Sequence, residues 1–451
     1  MPMKSFLTDI AERSAGYLSG LAHRSVAPTE AAVDGLACLD GPLPLVGTED
    51  HEIIAMLDQI ASPATIASAG GRYFGYVTGG SLPATLGASW LATAWDQNGF
   101  SATSSPIAAK IEEIALRWLI DLFGFPETTG GAFVTGATMA NFSCLAAARH
   151  RVLAACDWDV DERGLYGAPP ITVVVGDEAH ASLIKALGML GMGRANVHRV
   201  AVNAQGAMDA KAMPAISSLT IVCLQAGNVN TGAFDPAPDI IAKAQAGGAW
   251  VHVDGAFGVW AATAPARAHL MNDYALADSW ATDAHKWLNV PYDGGIALTR
   301  DAQALRAAMS IKASYLHAGQ DRDPFDFTPE CSRRARGLEV WTALKSLGRE
   351  GLAEMIERNC RQAAIFADGL TKAGFEVLND VVLNQVLVSF GDAETTERII
   401  AAIQMDGTCW CGGTVWQGRT AMRISVSSWA TTDEDVERSL AAMIDCAKRN
   451  T

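Results

Sequence analysis

Residues 219–258 read LTIVCLQAGNVNTGAFDPAPDIIAKAQAGGAWVHVDGAFG. LTIVCLQ and AWVHV are short apolar runs rich in β-branched residues. Between them lie a turn-rich segment and the helical pattern DIIAKAQAGG. Neither run alternates strictly between apolar and polar residues, so both read as strands covered on two faces. Strand, helix and strand in that order predict a parallel βαβ unit.

The same alternation extends outward in both directions. Upstream, GAFVTG precedes the helix ATMANFSCLAAARHRVLAA, ITVVVGD precedes HASLIKALGMLG, and VHRVAV is a further strand. Downstream, DSWATDAHKW leads into GIALTR. The expected fold class is α/β, with a mainly parallel sheet in a large domain at 91–344. IAAKIEEIALRWLIDLFG, at 107–124, is a helix ending at a glycine. From about residue 345 the order becomes helix, strand pair, helix, strand, helix, predicting a small α+β domain at 345–451. Residues 1–90 form an N-terminal helical segment whose first helix, over 5–22, needs another domain or subunit to cover its apolar face. Polar, proline-bearing Ala318–Ser332 is the expected mobile loop.

Composition excludes several function classes. Acidic residues exceed basic ones, 49 to 34, for a formal charge of −15. That leaves no basic excess for nucleic acid. Nine scattered cysteines do not form a secreted disulfide framework. Neither a signal-peptide core nor an apolar span of about 18 residues is apparent, so no membrane partner and a cytoplasmic location are expected. His51-Glu52 lacks the second histidine of a zinc helix, and Cys409-Trp410-Cys411 has no partner pair at zinc spacing. No metal is expected.

Four polar features fall at the ends of predicted strands, where α/β sheets bind ligands. Asp254 ends WVHVD, and Lys286 follows His285 in ATDAHKW. His180 follows VVVGDEA, and Gly136-Ala137-Thr138 joins a strand to a helix. Each has a plain structural reading: a turn aspartate, a solvated helix start, a structural histidine, an N-cap hydroxyl. Together they meet the needs of pyridoxal 5'-phosphate (PLP). That cofactor takes a lysine for covalent attachment, a carboxylate for its pyridine nitrogen, a helix N-terminus for its phosphate and a flat group on its ring.

These residues also carry a resemblance. From RYFGYVTGGSLPATLG through VTGATMANFSCLAAAR, GDEAHASLIKAL, GNVNTGAFDP, WVHVDGAFG and TDAHKWLNVPYDGG to SRRARGLEVWTALKSLG and MRISVSSWATTDED, the chain resembles the PLP-dependent group II amino-acid decarboxylases. The resemblance implies a fold type I PLP-dependent transferase architecture and an active site at a homodimer interface. It implies Lys286 as the attachment lysine, Asp254 at the pyridine nitrogen, His180 stacked on the ring and Ala256 on the opposite face. Gly136, Ala137, Thr138 and His285 are implied at the phosphate, Asn228 near the cofactor, and Thr78 and Phe100 toward an amino-acid substrate. The implied activity is decarboxylation of an L-amino acid to its amine. Aldehyde-forming oxidative chemistry, aminotransfer, carbon–carbon lysis or a silent regulatory relative are the alternatives.

Two positions depart from the family pattern. The loop tyrosine that commonly handles the Cα proton aligns with Pro324, which has no donor, and its replacement accompanies aldehyde formation. Tyr315, His317, solvent and Lys286 are the substitutes. Asp283 stands where several relatives carry asparagine near the phosphate, and repulsion from a dianion leads us to expect its carboxylate to point elsewhere. Arg423 is either a carboxylate ligand or a strand arginine paired to an acid.

Overall fold

The computed structural model describes residues 2–311 and 322–450. Two compact units emerge: Ser81–Ala363 with Asn379–Gln385, and Met1–Gly80 with Ala364–Leu378 and Val386–Thr451. The N-terminal segment and most of the expected small domain thus share one unit.

The larger unit is built on seven strands: β1 (Gly130–Val134), β2 (Thr172–Gly176), β3 (Val197–Val200), β4 (Thr220–Gln225), β5 (Trp250–Asp254), β6 (Ser279–Asp283) and β7 (Gly295–Thr299). Their order is β1-β7-β6-β5-β4-β2-β3. All pairings from β3 through β6 are parallel; β7 is antiparallel to both β6 and β1. Because only β7 is reversed, β1, β2, β5 and β6 end on the same edge of the sheet. The mainly parallel α/β architecture read from the sequence is the architecture of this unit, and the two pairings of β7 are its antiparallel exceptions.

Helix α1 (Met3–Gly20) opens the other unit, while α2 (Pro83–Trp95), α3 (Pro106–Phe123), α4 (Ala137–Ala154), α5 (Ala181–Met189), α6 (Ala237–Ala246) and α7 (Ala302–Met309) belong to the larger one. Alanine-rich α4 buries Ala137, Ala140, Ala146, Ala147 and Ala148, small side chains that let its backbone approach the sheet. α3 carries Glu112, 3 % exposed, where an acid needs partners. Arg322 binds it at 3.0 Å and Arg333 binds its second oxygen. Those arginines flank a segment that docks further: Asp323 accepts the Ala102 N–H at 2.9 Å, and Phe325 stacks on Phe100 at 4.6 Å. Residues 322–332 of the expected mobile loop are therefore anchored. Tyr315 and His317 lie outside the described residues.

In the smaller unit, β8 (Glu376–Val377), β9 (Gln385–Ser389), β10 (Gly412–Trp416) and β11 (Arg419–Ser425) form a sheet ordered β10-β11-β9-β8, joined by helices α8 (Ala393–Asp406) and α9 (Asp433–Asn450). Strand β10 was not anticipated. Buried Arg72 ties the N-terminal segment to this sheet by donating to the carbonyls of Ala22, Arg24 and Thr408. The N–H of Phe74 donates to Trp410, and that of Ser425 to Phe74. None of α1 is buried. Among the described residues no helix is long and apolar enough to cross a membrane.

Removing one member of a buried ion cluster strands the others. Glu112→Ala is expected to lower unfolding free energy by about 3–5 kcal/mol, read as a shift in the urea midpoint.

Candidate active site

The register at the sheet's edge brings the candidate residues together. Gly295, the first residue of β7, lies opposite both Val134 of β1 and Asp283 of β6. A Cβ on Gly295 would fall 2.4 Å from the Cα of Gly136, so the backbones meet there only because Gly295 carries no side chain. That approach sets the start of α4 beside the end of β6. The α4 N-cap, Gly136, supplies no side-chain cap, yet the Ala137 N–H is held by Asp283 Oδ1 at 2.5 Å. Asp283 thus points into the proposed phosphate turn, contrary to the expectation that it faces away. The helix amide of Ala137 and the ammonium of a lysine hold its two oxygens there.

That lysine is Lys286, whose Nζ lies 3.0 Å from Asp283 Oδ2. His285 completes the group, with Nε2 at 3.5 Å from Asp283 Oδ1. The Gly294 N–H donates to His285 Nδ1 at 3.1 Å, which leaves the neutral ring's proton on Nε2, facing the carboxylate. Burial lowers the His285 pKa, opposed by the charge of Asp283. Tyr292, unremarked in the sequence, lies over this ring at 4.4 Å. Ala256 binds the same strand end, its carbonyl accepting the Asp283 N–H at 2.9 Å.

Asp254 ends β5 and is 4 % exposed. Its Oδ2 is buried without a hydrogen-bond partner. Burial raises its pKa, while His180, Lys286 and Asn141 act in the opposite direction. A buried carboxylate oxygen left open in this way fits a cationic ring nitrogen. The fit extends to the phosphate end, where the bare Cα of Gly136 faces His285 and Asp283. PLP therefore suits the residues present.

Behind Asp254 runs a buried polar chain that sequence reading missed. Side chains two apart on a strand share a face, and Trp250, His252 and Asp254 do so here. Trp250 Nε1 donates to Ser279 Oγ at 2.9 Å; Ser279 Oγ lies 2.9 Å from His252 Nδ1, and His252 Nε2 lies 2.9 Å from Asn141 Oδ1. With His252 protonated on Nε2, Asn141 Oδ1 accepts its hydrogen bond, and the Asn141 amide nitrogen, like Asp254 Oδ2, is buried without a hydrogen-bond partner. The alternating polar residues in WVHVD were the available signal.

The remaining candidates are placed differently. His180 is the exposed N-cap of α5, its Nδ1 accepting the Ser182 N–H at 3.2 Å, and it lines a small cavity with Asp254. Thr138 is half-buried in the first turn of α4. The Asn228 side chain is engaged by its own loop, donating to Gln225 Oε1 and accepting the Asn230 N–H. Phe100 packs on Phe325, and Pro324 is buried at the start of a short 3-10 turn. Thr78 belongs to the smaller unit, as does Arg423, whose guanidinium donates to the Tyr76 carbonyl at 3.4 Å.

The family model described as the pyridoxal-dependent decarboxylase conserved domain matches residues 49–391. The chain belongs to this family. The decarboxylase is 28 % identical to tryptophan decarboxylase 1 of Oryza sativa subsp. japonica over 79 % of the chain and 76 % of the relative. It is 30 % identical to an acidic amino acid decarboxylase of Mus musculus, covering 68 % of the chain and 58 % of that relative. Its fold matches the crystal structure of Oryza sativa TDC with PLP and tryptamine at a TM-score of 0.91, with 22 % identity over 100 % of this chain and 99 % of that one. The decarboxylase is accordingly a PLP-dependent carboxy-lyase of fold type I.

The geometry at β5 gives a pH dependence. Burial lowers the His252 pKa from 6.5 to about 3. The neutral ring therefore favours folding above pH 6.5, and stability erodes as pH falls toward 3. Between pH 6.5 and 4.5 we expect about 2 kcal/mol of this loss in the native chain and its absence in His252→Gln, measured as the difference in urea midpoints.

Proposed function

We propose that this decarboxylase removes the α-carboxylate of an L-amino acid to give the amine, using PLP attached to Lys286. The observation that supports this reading best is the open oxygen of buried Asp254 beside Lys286. PLP, when bound, supplies the sink that accepts the electron pair of the breaking Cα–carboxylate bond. The named relatives act on aromatic and on acidic amino acids. Their shared element is the amino-acid carboxylate, and the proposal stops there.

The chain's own groups divide the work. Lys286 must be neutral to act as a nucleophile, and its Nζ lies 3.0 Å from Asp283 Oδ2. Asp254, its free oxygen open at the end of β5, pairs with the cofactor's ring nitrogen and keeps it protonated. His180 covers one ring face and Ala256 the other. Gly136, Ala137, Thr138 and His285 hold the phosphate. Asn228 contributes by shaping the loop after β4, because its amide is engaged locally. Thr78 and Phe100 face the substrate in a homodimer. The dimer reading is supported by the exposed apolar residues of the first hundred positions, among them Leu7, Leu45, Val46, Trp90, Leu91 and Trp95.

Pro324 has neither an N–H nor a side-chain donor, so the proton returned to Cα comes from Tyr315, His317, solvent or Lys286. The same proline favours a second reading, aldehyde formation with uptake of dioxygen and water and release of carbon dioxide, ammonia and hydrogen peroxide.

Lys286→Ala is expected to abolish both the visible absorption of the bound cofactor and carbon dioxide release. Asp254→Ala should lower kcat by ~10²-fold or more, with partial recovery in Asp254→Glu. Screening amino acids for amine, carbon dioxide, ammonia and peroxide separates the two products. Keto acid with the substrate carboxylate retained would overturn both readings.

A further inference from the structure

Asp283 has a position the decarboxylation reaction does not require. The α4 N-terminus offers its first amide, Ala137 N–H, and this is already held by a carboxylate at 2.5 Å, within the range of a charge-assisted bond. The same carboxylate holds Lys286 Nζ through its second oxygen. It is 3 % exposed, so water does not screen it. The titratable groups facing it are Lys286 and His285 from the segment after β6 and Asp254 from β5; α4 contributes only amides. A phosphate monoester at a helix N-terminus seeks the same N–H groups. The open Asp254 oxygen is the independent mark of the cofactor's other end. A ligand spanning from Asp254 to α4 brings its phosphate against Asp283.

We propose that Asp283 is a built-in anionic competitor for the phosphate end of the cofactor site. The phosphate gains the Ala137 amide only as the Asp283 carboxylate gives it up. Cofactor affinity is thereby held below what the fold otherwise allows, making PLP an exchangeable rather than a permanently retained group. The inference rests on the proposed phosphate position at α4.

The test uses two ligands that lack the aldehyde and cannot react with Lys286: 4'-deoxypyridoxine 5'-phosphate and 4'-deoxypyridoxine. Equilibrium dialysis against the full chain gives each dissociation constant. In Asp283→Asn the phosphorylated ligand should bind ~10-fold tighter or more, from removal of one nearby like charge, while the unphosphorylated ligand is unchanged. Asp283→Ala removes the same charge and reads the same effect should the asparagine variant not fold. The native chain gives a check without variants: phosphate should improve binding by less than about tenfold, against about a hundredfold or more for an uncontested charge-assisted cradle. Equal affinities for the phosphorylated ligand across native and variant chains, or an equal gain for both ligands, would overturn the proposal and leave the cofactor site standing. Failure of both ligands to bind any of the chains would overturn the site itself.

Discussion

The close backbone approach of Gly136 to Gly295 is the constraint on which the site depends. Two strands that do not pair with each other, β1 and β6, are brought to one point because both flank the first residue of β7. No side chain separates them there. From this single contact follow the position of the α4 amide, the reach of Asp283 to it, and the place of Lys286 three residues on. A methyl group at Gly295 would press on the backbone of Gly136 and displace the helix end from the strand end.

Two carboxylates close the ends of neighbouring strands, and their surroundings set different tasks. Asp254 has no cation at its free oxygen within hydrogen-bond distance, so burial acts on it directly and raises its pKa, opposed chiefly by the charges of His180 and Lys286. Asp283 is surrounded by an amide, an ammonium and an imidazole. The first is prepared to receive a positive group, whereas the second is already satisfied. Chemically similar side chains on adjacent strands thus act as a receptor and as an internal counterion.

Much of this was legible before any coordinates. The apolar runs around 219–258, the glycine after β1 and the order of HVDGA and DAHKW were enough for the parallel sheet and for placing Asp254 and Lys286 at its strand ends. What escaped shows the limits of local pattern. Strand β10, GGTVW, opens with two glycines and leaves Val415 exposed, so it has no continuous buried face to announce it. The segment from Arg322 looked like a free loop because its anchors, Glu112 and Ala102, are remote in sequence. Asp283 was misread because electrostatics between one carboxylate and one phosphate was considered alone. The helix amide and the lysine that stabilise it belong to tertiary structure, which sequence spacing does not disclose.

The reversed strand β7 also orders events in time. β1 is made early, yet its sole sheet neighbour is β7, the last strand of that sheet to be synthesised. Until residues 295–299 have emerged, β1 has no ladder partner and α4 has no fixed start. A ribosome-bound fragment ending within β6 would already carry Asp254 but could not close the phosphate turn. Contacts of such long sequence separation slow folding. The cofactor pocket is therefore expected to form as one of the final steps of chain maturation, and PLP capture to report completion of the sheet.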